Sequence, residues 1–231
     1  MATPIPIDLV VFDLTSATAQ GSVEVRRCLL ASLESVEFNV DPDAIDEVVG
    51  LPDREMIRLL IGRFDPSGQF LGKVDAIRSD FIARLTCAFK HDQMAVEAPG
   101  LSEVFFRLQR AEIAVAIVSS FRRDLTDLLL RRLGWTRRRL IDATVTDDEV
   151  ERSRPHPDMI LAMMNRVGIV DPARVAKVGH TPADLLEAHR AGCGLIVGFA
   201  PSSSAKERLQ GHPHSYLIDS MDELPELLNL A

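Results

Sequence analysis

The sequence predicts an α/β fold, a Rossmann-like parallel core interrupted by an all-helical insertion, on three observations. The run Ile7 to Asp13 is short, β-branched and aromatic, which reads as a buried strand. The stretch that follows carries only helical periodicities. From Pro99-Gly100 onward strands and helices alternate, the rhythm of βαβ units. The expected division is a core of residues 1–18 and 95–231 and a helical cap of residues 19–94. A cleft between two such units is where small ligands bind.

Each element has its own signal. Within the insertion, Val25, Leu29, Leu30 and Leu33 predict a helix over Val23 to Val36. Pro42 to Val49 and Asp53 to Phe64 read as two shorter helices. Ile77, Phe81, Ile82 and Leu85 share one face of a longer helix, Val74 to Phe89. The core continues with helix Leu101 to Arg110, strand Ile113 to Val118, helix Arg123 to Leu133 and strand Leu140 to Val145. Helix Asp158 to Val167, strand Val175 to Val178, helix Ala183 to Ala191 and strand Leu195 to Phe199 follow. A strand at Tyr216 to Ile218 and a helix near Met221 to Leu230 close the chain.

Composition narrows the function classes. A chain of 231 residues with 46% hydrophobic and 26% charged residues has the make-up of a soluble globular enzyme. A formal charge of −8 argues against a nucleic-acid partner, because such binding rests on Lys and Arg neutralising phosphates. The cluster Arg131, Arg132, Arg137, Arg138 and Arg139 reads as a solvated helix end and loop. Cys28, Cys87 and Cys193 suggest neither a disulfide framework nor a zinc site. No apolar stretch is long enough to span a bilayer, and Met1 to Pro6 lacks the regions of a secretory leader. The expected setting is the cytoplasm, with a small phosphorylated or anionic substrate and no membrane partner. Oligomeric state leaves no mark in the sequence.

The chemistry-bearing residues fall at strand ends. Asp13 closes an apolar strand, and parallel sheets place ligands beyond the carboxyl ends of their strands, so Asp13 is the candidate nucleophile. Ser119 and Ser120 follow a strand and precede a helix, where hydroxyls and backbone N–H groups hold phosphate oxygens. Arg154, followed by Pro155 and Pro157, supplies fixed positive charge for a phosphate beside the nucleophile.

Taken in order, Val10-Val11-Phe12-Asp13-Leu14-Thr15, Ala116-Ile117-Val118-Ser119-Ser120, Ser153-Arg154-Pro155-His156-Pro157-Asp158 and Val178-Gly179-His180-Thr181-Pro182-Ala183-Asp184 resemble the four motifs of the haloacid dehalogenase-like hydrolases. The insertion, with Val48-Val49-Gly50-Leu51-Pro52, looks most like the cap of phosphonatase-like and phosphoglycolate-phosphatase-like members. The resemblance implies an Asp13 nucleophile, a catalytic position at Thr15 and substrate binding by Ser119, Ser120, Arg154 and the cap position Asp53. It also implies Mg²⁺ held by Asp13, Thr15 and Asp184, together with an acidic residue where this chain has His180.

The departures matter as much. Imidazole is a poor substitute for a carboxylate on Mg²⁺, which leaves open another divalent metal or none. Thr15 stands where phosphatases of the superfamily carry an acidic proton donor, and Ser16-Ala17 where Gly-Thr is usual. Asp53 and Met56 replace the cap Lys and His of phosphonatases, and a carboxylate forms no imine. Three readings stay open: a phosphate-ester or phosphonate hydrolase acting through an aspartyl-phosphate, a metal-independent dehalogenase-like hydrolase, and a non-catalytic anion binder.

Overall fold

The structure is a computed structural model that describes residues 6–18, 21–90 and 96–230, with the backbone of His91. The expected boundaries at 19 and at 94–95 lie outside the described residues. The first strand, β1 (Leu9–Asp13), is buried throughout, as its unbroken apolar run demands. Four helices follow: α1 (Gly21–Glu34), α2 (Pro42–Val48), α3 (Asp53–Phe64) and α4 (Val74–His91). Asp41 caps α2 by accepting from Asp43 N, and Pro42 at the first helical position fixes its start.

The remaining chain runs α5 (Leu101–Arg110), β2 (Ala114–Ser119), α6 (Arg123–Leu133), α7 (Trp135–Arg138), β3 (Ala143–Thr146), α8 (Asp158–Val167), β4 (Val175–Gly179), α9 (Pro182–Ala191), β5 (Leu195–Phe199), α10 (Ser203–Leu209), β6 (Tyr216–Ile218) and α11 (Leu224–Leu227). The six strands form one parallel sheet in the order β3-β2-β1-β4-β5-β6. The chain winds outward from β1 on one side and then on the other, so the strand order switches at β1. Asp13 therefore stands at the crevice where doubly wound sheets take their ligands.

Alternation along the strands separates two apolar layers. Val10, Phe12, Ile117 and Val178 face one side, where Phe12 packs edge-on to Phe105 at 4.9 Å and Phe105 to Trp135 at 5.2 Å. Leu9, Val11, Ala116 and Val118 face the other, against Met159 and Met163 of α8 and Leu185 and Ala188 of α9. The first layer continues without a break into Leu29, Ile57, Phe81 and Phe89 of the insertion.

Three sequence expectations change in detail. The strand expected from Leu140 begins only at Ala143, because Asp142 turns its carboxylate back to accept from Val115 N. Helices α7 and α10 go unpredicted, since α7 has four residues and α10 buries only Ala205 and Leu209. The closing helix is a 3₁₀ turn, Met221–Glu223, followed by the four-residue α11. Among the described residues no helix is long and apolar enough to cross a membrane.

Candidate active site

Asp13 is buried and held from several directions. Its Oδ2 accepts from Thr15 Oγ1 at 2.6 Å and from Ser16 N at 2.9 Å. Its backbone carbonyl accepts from Ser16 Oγ at 2.8 Å and Ala17 N at 3.1 Å, which closes the turn after β1. Oδ1 faces Arg154 Nη1 at 2.7 Å. Burial alone would raise the Asp13 carboxyl; Arg154, assisted by His180 and Lys177, outweighs it and holds the group well below the usual carboxylate range. The result is a carboxylate that stays ionised although buried.

Arg154 is itself fully enclosed. Nη1 also lies 3.0 Å from Asp184 Oδ1, and Nε lies 3.3 Å from Glu187 Oε2. Burial would lower its pKa, but the charges of Asp184, Asp13 and Glu187 raise it, so it remains a guanidinium. Its buried Nη2 has no hydrogen-bond partner among the described residues.

Lys177 and Glu187 complete a buried charged layer around Arg154 and Asp184. Lys177, in the middle of β4 and fully buried, places Nζ 3.1 Å from Asp184 Oδ1 and 3.9 Å from Glu187 Oε2. It shares its strand face with Val175, the face against which α9 packs. Burial pushes the Glu187 carboxyl up to about 7, against the pull of Arg154 and Lys177. Neither residue was among the expected site residues, although a Lys between Ala176 and Val178 breaks an apolar run.

Ser119 ends β2 beside Asp13; its predecessor Val118 is the register partner of Asp13. Its Oγ accepts from Phe121 N at 3.1 Å and Thr126 Oγ1 at 3.0 Å, leaving its own proton to donate. Ser120, half-buried, follows in the bend before α6. Asp53 is engaged elsewhere: Oδ1 accepts from Arg78 Nε at 2.7 Å and from Arg54 N at 2.6 Å.

His180 and Asp184 belong to the start of α9. Thr181 and Asp184 form a reciprocal capping box there. Gly179 is required because a Cβ would come within 2.2 Å of the Asp184 Cβ. Gly50, from the insertion, takes φ +99° against the Thr181 side chain, where a Cβ would lie 2.6 Å from Oγ1. His180 Nδ1 lies 3.4 Å from Asp13 Oδ2 and 3.7 Å from Asp184 Oδ2, while Nε2 meets Ser22 Oγ of α1 at 2.6 Å. Burial would raise the Asp184 carboxyl, but Lys177 and Arg154 draw it below the ordinary value.

Asp13, His180 and Asp184 each offer a ligand atom within 4.8 Å of the others, compact enough for one ion. Their donor chemistry does not suit Mg²⁺. Asp184 Oδ2 already accepts from His180 N, Thr181 N and Thr181 Oγ1, and its Oδ1 is shared by Lys177 and Arg154. A carboxylate has about four lone-pair sites, so Asp184 is saturated by protein donors. The Thr15 hydroxyl donates to Asp13, and its carbonyl accepts from Thr18 Oγ1 at 3.0 Å and Thr18 N at 3.4 Å. A cavity of 640 Å³ lies at the opposite end of the strands, among Ile7, Ile113, Leu195 and Leu230, away from these groups.

Comparison with known proteins fits this geometry. A pyrophosphatase, PpaX, from Bacillus velezensis is 25% identical over 74% of this chain and 78% of its own. A phosphonoacetaldehyde hydrolase from Latilactobacillus sakei is 26% identical over 97% of this chain and 84% of its own. Among solved structures, a phosphonoacetaldehyde hydrolase-like protein from Oleispira antarctica superposes with a TM-score of 0.84 at 20% identity, covering 98% of this chain and 92% of that one. CbbY from Rhodobacter sphaeroides, solved with phosphate, gives 0.76 at 18% identity, covering 94% and 96%. The family model described as haloacid dehalogenase-like hydrolase matches residues 10–197, from β1 to β5 and through all the strand ends that carry the site, and the chain belongs to that family.

Proposed function

We propose that this chain hydrolyses small phosphate esters or related phosphorylated compounds through Asp13. A carboxylate oxygen of Asp13 attacks phosphorus, the bond to the leaving group breaks, and an aspartyl-phosphate forms. Water then attacks that phosphorus, restoring the carboxylate and releasing orthophosphate. The observation that carries this reading is the ionised, buried Asp13 clamped between Arg154 and the Thr15-Ser16 turn. A nucleophile already fixed in place loses little freedom on reaching the transition state.

The neighbours have matching roles. The Ser119 hydroxyl, with Ser120 and the backbone N–H groups ahead of α6, receives phosphoryl oxygens. Arg154 offsets the charge that gathers beside Asp13. The helical insertion serves as the cap that closes over the substrate. Asp53 is bound by Arg78 and provides no amine, so cleavage of a phosphonate through an imine at this position is not part of the proposal.

The test is phosphate release from a panel of phosphomonoesters, phosphoanhydrides and acyl phosphates, with the Asp13→Asn variant alongside. Loss of about 10⁴-fold in the variant is expected, with acid-quenched native protein carrying a phosphoryl group on the peptide that contains Asp13. Unchanged turnover in Asp13→Asn would remove the mechanism. Phosphate binding without turnover on any substrate would assign the pocket to anion binding alone.

A further inference from the structure

We infer that the His180 imidazole, fixed by Ser22, fills the place of a divalent metal in this site, so that phosphate is bound and processed without one. The inference deepens the phosphohydrolase reading and rests on it for the ligand, but the metal question is separately measurable.

Three observations converge. First, His180 Nδ1 lies between Asp13 Oδ2 and Asp184 Oδ2, at 3.4 and 3.7 Å, the gap a bridging cation would occupy. Nδ1 is buried there without a hydrogen-bond partner among the described residues, and it is the ring, not an open space, that faces the two oxygens. Second, the metal alternative is short of free ligands: Asp184 is saturated, and the Thr15 carbonyl already accepts from Thr18 Oγ1 and Thr18 N. A Mg²⁺ ion requires near-ideal octahedral oxygen coordination, and freeing those oxygens would break the capping box of α9 and the turn after β1. The ring therefore takes this gap in place of an ion, with Nδ1 turned toward both carboxylates.

Third, the ring is held from the far side. Ser22 Oγ meets Nε2 at 2.6 Å across 158 positions of sequence, joining the first turn of α1 to the fourth motif. The contact fixes the ring plane, as partners of metal-bound histidines fix theirs. Local charge points the same way. Asp13, Asp184 and Glu187 face Arg154 and Lys177 as their fixed cations, so the site already holds two buried positive groups where a dication would have to enter. Ser22 is thus a positioning residue for His180.

The experiment uses full-length protein stripped with chelator and checked for metal content. Orthovanadate and inorganic phosphate are titrated by calorimetry with and without Mg²⁺, and Mn²⁺ is titrated by electron paramagnetic resonance. Affinity for the anions is expected to agree within about twofold in the two conditions. The native chain is expected to bind no Mn²⁺ up to millimolar concentration, whereas His180→Asp gains a Mn²⁺ site and Mg²⁺-dependent anion binding. Nitrogen-15 spectra of the native imidazole should place a proton on Nδ1. Ser22→Ala should weaken vanadate binding while leaving the thermal midpoint and the absence of Mn²⁺ binding unchanged.

Stoichiometric Mn²⁺ binding by the native chain, lost in Asp184→Asn, would overturn the inference. So would anion binding that disappears on chelation and returns with Mg²⁺. If neither anion binds under any condition, the phosphohydrolase reading and the proposed function of His180 both fail, while Mn²⁺ titration and Nδ1 protonation still decide whether the ring excludes the metal.

Discussion

Nη1 of Arg154 stands 2.7 Å from Oδ1 of Asp13 and also reaches Asp184 Oδ1 at 3.0 Å. One guanidinium nitrogen ties the end of the first strand to the first turn of α9. Removing it would leave two buried carboxylates without their shared cation. Arg154→Ala is expected to destabilise the fold by about 3–5 kcal/mol, read from urea unfolding near neutral pH. Arg154→Lys should recover part of that loss, because it keeps the charge but spans fewer partners. Equal stability of native and Arg154→Ala chains would mean that the cluster is solvated.

Glu187 makes a distinct pH signature. Its carboxyl is raised from 4.5 to about 7, first by burial, so the folded chain keeps a proton that the unfolded chain has released. Stability from this group is complete below pH 4.5 and falls as pH rises through about 7, by at most about 3 kcal/mol. Asp13 and Asp184 act oppositely. Their lowered values give stability present above the ordinary 3.8 and lost as the pH falls further. Unfolding free energy measured at intervals from pH 4 to 8 should decline in the native chain. In Glu187→Gln that decline should flatten; a parallel curve in the variant would place the titration elsewhere.

Under the proposed hydrolysis, Thr15 sets the kind of leaving group the site tolerates. Its hydroxyl donates to Asp13 Oδ2 at 2.6 Å, and an alcohol is a poor proton donor near neutral pH. Aryl and acyl phosphates, whose leaving groups depart as stable anions, should be hydrolysed faster than alkyl phosphates. A steep dependence of kcat/KM on leaving-group basicity is the expected result. Thr15→Asp should raise alkyl phosphate turnover by about 10²-fold and change aryl phosphate turnover little. A flat dependence in the native enzyme would require a proton donor other than residue 15.

What could be read from sequence was what lies at chain punctuation. Asp13 ends an apolar run, Arg154 directly precedes a Pro-His-Pro run, and Asp184 falls three residues after Thr181 at a helix start. Each signal is local (for Arg154 it is the Pro155-His156-Pro157 run that follows it), so the strand ends and the carboxylates were legible. Lys177 and Glu187 were hidden because their meaning depends on which face of β4 packs under α9. Ser22 carried no signal at all, since its partner is remote in sequence. The early start assigned to β3 failed for a related reason: Leu140 and Ile141 are apolar enough for a strand, but Asp142 diverts the chain by bonding to Val115.

The apolar layer that runs unbroken from Phe12 and Ile117 into Leu29, Phe81 and Phe89 also bears on how this architecture can be re-engineered. Phe89 of α4 meets Phe121, just beyond β2, ring to ring at 6.2 Å. The insertion and the sheet are therefore not interchangeable parts. Grafting the insertion of a relative onto this sheet would strip apolar surface on both sides of the junction. A productive chimera would have to carry the Phe121 side of the seam along with the helices that cover it.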